Sequence, residues 1–415
     1  MKTLFFVFIC LVNISISFAD TFSHQDWVDE FKKKGLSNQI ELINLEQSRL
    51  EIQERIGQIA PSLSLGTVIE TSISGPIGLL NGLTNLVGFM LPSRWFNWRE
   101  SQMYYLSQYY SYMAMRGNFI LLAEELYLNL KKTIRIKNAL KVEFDELTIL
   151  VRSIEFRERV GELPKGTFAR IKARHLSNQY DLEKLNQLIG LYYIQMNKLL
   201  QDDEFQLVDS IEISERPSKP IDNDFDFHSQ EESLIELKSM NYLIKASTYS
   251  KKARTWSFLD PGSRGFGFGY MASNQMATND ILILQSKMDQ LSFDLKAKFK
   301  SISLEENYLL EQHTLLSDAL TITKDRKNQI MVDYRLKGKI DADDYIENLD
   351  NYLKFTILLN ANEIAAEYLQ AQKERIALTN FYDHLDDLIP KRDIENLKRY
   401  QRREDKLINR NGGIK

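Results

Sequence analysis

The sequence predicts a mainly α protein of long antiparallel coiled-coil helical hairpins, arranged as two internal repeats with short β segments. Three observations carry that class: a long heptad column, a scarcity of proline, and one order of elements that occurs twice. From Ile281 to Tyr334, apolar residues return every seventh position at Met288, Leu295, Ile302, Leu309, Leu316 and, after polar Thr323, Ile330. A second column at Leu284 and Leu291 turns polar at Lys298, Glu305 and Gln312. A sustained seven-residue repeat keeps one seam facing a partner helix and imposes a left-handed supercoil. At 1.5 Å per residue, roughly 55 residues make a rod on the order of 80 Å long, so its partners must be equally long.

Composition agrees. Only 8 prolines punctuate 415 residues, and most of the chain reads as Leu, Ile, Glu, Lys, Gln and Asn without turn clusters. That favours long helices over several small folded units. The formal net charge of −4 is small for this length and points to neither nucleic-acid binding nor strong electrostatic steering.

Residues 1–19 read as a secretory signal peptide: Lys2 in the n-region, an apolar core from Leu4 to Ile16, and Ser17 and Ala19 before cleavage at Asp20. The apolar core is too short for a permanent anchor. Cys10, the only cysteine, lacks the small preceding residue of a lipidation site, so the mature chain would hold no disulfide. Stability would then come from packing and assembly.

Along the mature chain, a helix is expected from about Gln25 to Ile59, ending before Pro61. Ser62 to Glu70 then alternates polar and apolar residues, as a strand with two different faces does. Gly75, Gly78 and Gly82 follow, and then a second extended candidate from Leu86 to Arg99, rich in Trp95, Phe96 and Trp98. Residues 61–99 therefore read as a β hairpin. Helix resumes from about Glu100 to Val160, with Leu106, Met113, Ile120, Tyr127 and Ile134 seven apart. The cluster Tyr104, Tyr105, Tyr109, Tyr110 and Tyr112 reads as packing.

Proline and two glycines at 161–166 mark a tight reversal, and a return helix runs from Thr167 to Leu200. Residues 204–229 read as a connector. A helix from about Gln230 to Trp256 leads to Pro261 and to a short alternating segment over 261–279. The long heptad helix follows and breaks at Lys337-Gly338-Lys339, and a return helix spans about Asp341 to His384. After Pro390, a basic tail (389–415) reads as a solvated face or a disordered end.

The order helix, Pro, alternating segment, long helix, Gly turn and return helix thus occurs twice, in repeats at 20–203 and 230–388. Superposing Gly161 on Gly338 sets Phe168 opposite Tyr345, Leu176 opposite Leu353 and Arg157 opposite Tyr334. Neither copy alone can bury its apolar seam, so the two should pack together and copies from other chains could close a ring.

This pattern resembles the TolC-like outer-membrane efflux proteins. The residues that carry the resemblance are the exported start, Ile59-Ala60-Pro61-Ser62-Leu63-Ser64-Leu65, Arg159-Val160-Gly161, and Tyr334-Arg335-Leu336-Lys337-Gly338. Each of the two glycines is followed seven residues later by an aromatic. The resemblance implies a homotrimer whose strands share a twelve-stranded barrel in the outer membrane and whose helices form a periplasmic tunnel. It implies a passive conduit for small molecules or proteins in a tripartite efflux or type I secretion system. The partners so implied are a periplasmic adaptor protein, an inner-membrane pump and outer-membrane lipid. Val160, Gly161, Glu162 and Leu163 would meet the adaptor at one turn, and Lys337, Gly338, Lys339 and Ile340 at the other. Asp341, Asp343 and Asp344 are candidate tunnel-tip acids, with N-terminal capping of the return helix as the plainer reading. The second β segment is the departure, because 261–279 is too short for two membrane-crossing strands and a loop.

No catalytic chemistry is visible. His24, His175, His228, His313 and His384 form no ligand pair, and no nucleophile elbow or P-loop is present. Neither a cofactor nor a metal is expected. The alternative to a duct is a structural or adhesive coiled-coil envelope protein with a degenerate, non-conducting barrel.

Overall fold

The computed structural model describes residues 23–59, 91–200, 234–260, 268–338 and 340–411. Among the described residues there are eight α-helices and no strand. In chain order they are α1 (His24–Lys34), α2 (Leu36–Ile59), α3 (Pro92–Arg159), α4 (Thr167–Leu200), α5 (Ile235–Trp256), α6 (Phe268–Lys337), α7 (Ala342–Ala377) and α8 (Lys391–Asn411). The two expected long helices are the longest elements, with 68 residues in α3 and 70 in α6. The seam positions Ile302, Leu309 and Ile330 are buried. Among the described residues, no helix is long and apolar enough to cross a membrane.

The chain divides into two compact units, each built from segments of both repeats. The first takes residues up to Gly35, Ala123–Ser218 and Leu309–Tyr368. It holds α1, whose start is a capping box. The Ser23 hydroxyl accepts from the Asp26 amide at 3.2 Å, and the Asp26 carboxylate accepts from the Ser23 amide at 2.9 Å. Trp27 then buries its ring and donates its indole N–H to the Ala123 carbonyl at 2.8 Å, while His24 stacks on Tyr127 at 4.5 Å. Within this unit, Lys131 is buried and its ammonium donates to both Glu367 oxygens at 2.7 and 2.9 Å, tying α3 to α7. Arg135 donates to Glu363 one turn along, at 2.8 Å.

The second unit takes Leu36–Leu122, Lys219–Tyr308 and Leu369–Lys415. Its core joins Leu45 and Ile52 of α2, Met103, Tyr105, Leu106 and Tyr112 of α3, Tyr242 and Ala246 of α5, and Leu397 of α8. The tyrosine cluster is packing, as expected, with Tyr105 and Tyr112 buried and Tyr110 stacked on Tyr242 at 5.6 Å. Only Tyr104 faces out.

Four expectations need correction. The first helix is broken into α1 and α2 at Gly35, where ψ of 118° leaves the helical region. The extended reading of 92–99 fails, because α3 already begins at Pro92. Proline suits the first helical position, and Trp95 and Trp98 sit three apart on one turn, edge to face at 5.7 Å. The rest of that hairpin, residues 60–90, lies outside the described residues. The alternating reading of 268–279 also fails. Helix α6 starts at Phe268, where the glycine-aromatic alternation gives way to the helix-compatible run Tyr270-Met271-Ala272. Only residues 261–267, outside the described residues, then separate Asp260 from α6. Seven residues fall below the roughly nine to eleven of one membrane-crossing strand. Finally, the basic tail is not a disordered end as far as Asn411: it is the helix α8, whose cations keep the expected solvated face. Asp393, Leu397 and Glu404 lie buried on one face at helical spacing, with Ile394 and Tyr400 against the tyrosine core.

Candidate partner-docking tips

The turn after α3 closes by two reciprocal backbone bonds. The Gly161 amide donates to the Glu158 carbonyl at 3.1 Å and the Glu162 amide to the Arg157 carbonyl at 2.9 Å. This is a Schellman end, and Gly161 supplies the left-handed residue it needs, with φ +81°. The turn after α6 uses the simpler left-handed closure. The Gly338 amide donates to the Tyr334 carbonyl at 3.0 Å, with φ +69°. Both glycines are therefore required by backbone conformation before any question of partners arises.

The start of α4 is capped from the preceding helix. The Glu158 carboxylate accepts from the Gly166 amide at 2.8 Å and the Phe168 amide at 2.6 Å. These two N–H groups hold its pKa below the usual carboxylate range. A depressed carboxylate stabilises the fold above its unfolded pKa, and the contribution is lost as pH falls through the folded one. Peptides covering 160–170 should therefore lose hydrogen-exchange protection below the usual carboxylate range, after correction for intrinsic rates. Unchanged protection down to pH 3 would contradict this.

Behind the turns lies one apolar cluster, with Leu147, Leu150 and Ile154 of α3, Ile171 of α4, Ile330 and Tyr334 of α6, and Tyr345 and Leu349 of α7. The two residues expected to correspond across the repeats, Arg157 and Tyr334, meet directly. The Arg157 guanidinium lies 4.7 Å from the Tyr334 ring centre, and the Ser153 and Tyr334 hydroxyls are 2.7 Å apart. Charges rim the cluster. Arg174 joins Glu143 at 3.1 Å and Asp350 at 2.7 Å, and Arg326 joins Asp344 at 2.8 Å. Arg170 pairs with Asp343, and Lys327 with Glu146. Burial pushes the Glu143 carboxyl upward despite its bonds from Asn178 and Arg174. Burial likewise raises the Tyr345 phenol.

The expected docking residues divide. Val160, Gly161, Glu162 and Lys337 are exposed, Gly338 is half-buried, and Lys339 lies outside the described residues. Leu163 and Ile340 turn inward, at 5 % and 7 % exposure, and close the cluster. Leu336, at 79 % exposure, is an apolar tip residue that the heptad seam gave no reason to single out. Between the two turns lies an open cleft of about 660 Å³, lined by residues that include Glu162, Lys165, Arg170, Ile340 and Asp341. Asp341 caps α7 by accepting from the amides of Asp343 at 2.9 Å and Asp344 at 3.4 Å. Asp343 and Asp344 are engaged by Arg170 and Arg326. Among the described residues, no three His, Cys, Asp or Glu side chains group as a metal site.

Alanine at Gly161 should cost about 1 kcal/mol, since its Cβ meets open space and only the left-handed backbone is penalised. At Gly338 the cost should be larger, because a Cβ would also sit 3.1 Å from the Arg157 guanidinium. Denaturant midpoints of the two variants compare them, and equal midpoints would remove the Arg157 contact from the account.

A third feature lies away from the turns. On α3, Val142, Ile149 and Phe156 fall seven apart and are exposed. On α6, Leu282, Phe293, Leu304 and Leu315 fall eleven apart and are exposed, as are Leu176, Tyr180, Leu191 and Ile194 on α4. Apolar stripes at coiled-coil spacing outside a chain's own core mark surfaces for other helices.

Comparison with solved structures adds to this geometry. The Campylobacter jejuni CmeC outer membrane channel superposes with a TM-score of 0.69 at 13 % identity, over 91 % of this chain and 89 % of that one. The chain shares its fold with outer-membrane channels. The Neisseria gonorrhoeae MtrE outer membrane channel, in its open state, gives a TM-score of 0.63 at 10 % identity, over 85 % and 88 % of the two chains. The outer membrane protein VceC from Vibrio cholerae gives 0.62 at 10 %, over 85 % and 95 %. The resemblance read from the sequence thus holds at the level of fold. No protein-family model matches the sequence, and no curated protein sequence does either.

Proposed function

We propose that this chain is the outer-membrane exit duct of a tripartite export system. Three copies form one passive conduit from a periplasmic adaptor and an inner-membrane pump to the cell exterior. One observation carries the reading: the doubled helical hairpin has the fold of solved outer-membrane channels along most of both chains. The exposed apolar stripes of α3, α4 and α6 support assembly, since each would be covered by helices of neighbouring copies. The signal-peptide pattern of residues 1–19 supports export to a Gram-negative envelope. In this reading the chain is a conduit driven by its partners.

In this reading the tips at Val160, Gly161, Glu162, Lys337 and Gly338 meet the adaptor, and the cleft between the two turns receives it. The candidate tunnel-tip acids Asp343 and Asp344 serve first to hold the turns together through Arg170 and Arg326. The seven residues between Asp260 and α6 are fewer than one membrane-crossing strand needs. A shared barrel would then have fewer than the twelve strands the resemblance implies.

Purified full-length protein added to a planar phosphatidylcholine bilayer should give stepwise conductance. A trimer that never inserts or conducts would overturn the duct and favour a structural coiled-coil protein of the envelope. Glu162→Lys with Lys337→Glu leaves both turn glycines in place. It should weaken export while leaving the trimer intact, and unchanged export would remove the tips as a docking surface.

A further inference from the structure

Helix α8 presents a face that the fold does not use. Opposite its buried residues Asp393, Leu397 and Glu404, the side chains of Lys391, Arg392, Lys398, Arg399, Arg402, Arg403 and Lys406 are exposed. Only Glu395 and Asp405 offset them on that face. None of these seven cations forms an ion pair among the described residues, whereas exposed cations on α3 and α6 do. A helix that needed only solubility would carry mixed charge, with acids and bases interleaved.

Its position within the second unit gives the patch a direction. The start of α8 lies by Tyr105, where Asp393 is 3.6 Å from Arg49. Its later turns lie by the beginning of α3. Glu404 accepts from the Tyr249 hydroxyl at 2.9 Å, and Tyr249 stacks on Phe96 at 6.5 Å, four residues after Pro92. The cationic face therefore climbs toward the end of the unit from which residues 60–90 and 261–267 depart. That same end is rich in exposed aromatics. Trp95 is 38 % exposed and Trp256 is 42 % exposed, with Phe258 stacked on Trp256 and edge-on to Tyr270. Arg99 lies over Trp98 at 5.3 Å, and Lys252 over Tyr249 at 5.2 Å.

Tryptophan and tyrosine beside unpaired lysine and arginine form the side-chain set that settles at the boundary between lipid headgroups and water. From this juxtaposition we infer that α8 and the Trp95–Trp256 aromatics form a collar that binds anionic phospholipid headgroups of the membrane leaflet facing the periplasm. The inference rests on the outer-membrane reading and adds to it a site, a ligand chemistry and a purpose. With only seven residues between Asp260 and α6, the second repeat has little chain to place in a bilayer. A collar at the surface supplies the hold that the shortened segment does not.

The test uses full-length protein in neutral detergent, titrated with phosphatidylglycerol or phosphatidylcholine and read by native mass spectrometry. Wild type should retain phosphatidylglycerol in preference to phosphatidylcholine, and inorganic phosphate should not displace it. The variant K398Q/R399Q/R402Q/R403Q alters exposed side chains only. It should bind phosphatidylglycerol at least about tenfold more weakly, while R399K/R402K/R403K keeps the affinity. Equal retention of the two lipids, or no loss in the glutamine variant, would overturn the collar. Displacement by phosphate would also overturn it, in favour of a free-anion site. Conductance of both proteins in phosphatidylcholine bilayers separates the two readings. Intact conductance without lipid preference sinks the collar alone, whereas absent conductance in wild type sinks the duct.

Discussion

Replacing Arg375 by methionine should destabilise the second unit by about 3–5 kcal/mol, the usual penalty for breaking a buried ion pair from one side. Arg375 is 4 % exposed. Its guanidinium donates to Glu236 at 2.7 Å, to the Ala114 carbonyl at 2.8 Å and to the Asn118 side chain at 3.2 Å. It thereby joins α7, α5 and α3 in one set of bonds. Methionine fills much of the same volume, so the loss reports the stranded Glu236 carboxylate and the deprived acceptors more than a cavity. The path of the side chain explains Gly117. A Cβ there would lie 2.5 Å from Arg375 Nε and 2.8 Å from its Cδ, and the three bonds prevent the arginine from retreating. Gly117→Ala should therefore be destabilising in wild type and much less so beside Arg375→Met. A coupling of about 1–3 kcal/mol is the expected scale for groups in direct contact. Guanidinium midpoints of the four proteins measure it. Strict additivity would mean that the close approach of Gly117 and Arg375 carries no energy.

The second large effect concerns assembly. Ile149 is 74 % exposed and Phe156 is 65 % exposed, one heptad apart on α3 and outside the core of their own unit. In a single chain, Ile149→Asp with Phe156→Asp should hardly change stability, because both side chains already face water. In the assembled protein each aspartate would be buried against a neighbouring helix, an uncompensated charge that costs several kcal/mol per site. Loss of the trimer with retention of helicity is the expected result, read by light scattering and circular dichroism. A trimer that survives both substitutions would place these stripes on the tunnel wall or in solvent, not between copies.

Much of the helical frame was legible because long helices declare themselves by period. The seam through Ile302, Leu309 and Ile330 and the return helix from Thr167 to Leu200 needed only spacing and turn glycines. The superposition of the two turns made Arg157 and Tyr334 equivalent positions, but nothing in the sequence indicated that the cation would lie over the ring. Aromatic-rich ends misled the reading. Around Trp95, Phe96 and Trp98, β propensity pointed to a strand, yet the segment is helical and Phe96 stacks on Tyr249 of α5. Charge misled it at the tail, because a count of cations hides the one face of α8 on which Leu397 and Tyr400 are packed. The buried charges Lys131, Lys373 and Arg375 could not be foreseen. Each looks like an ordinary surface residue of a helix until the partner carboxylate from a distant segment is known. The same holds for Leu163 and Ile340, whose place at a turn tip says nothing of the cluster beneath it.

The mass and shape of purified full-length protein by light scattering and electron microscopy test the duct most directly. A three-copy particle with an axial channel is the predicted result. A single chain without one, at every protein concentration sampled, would contradict it.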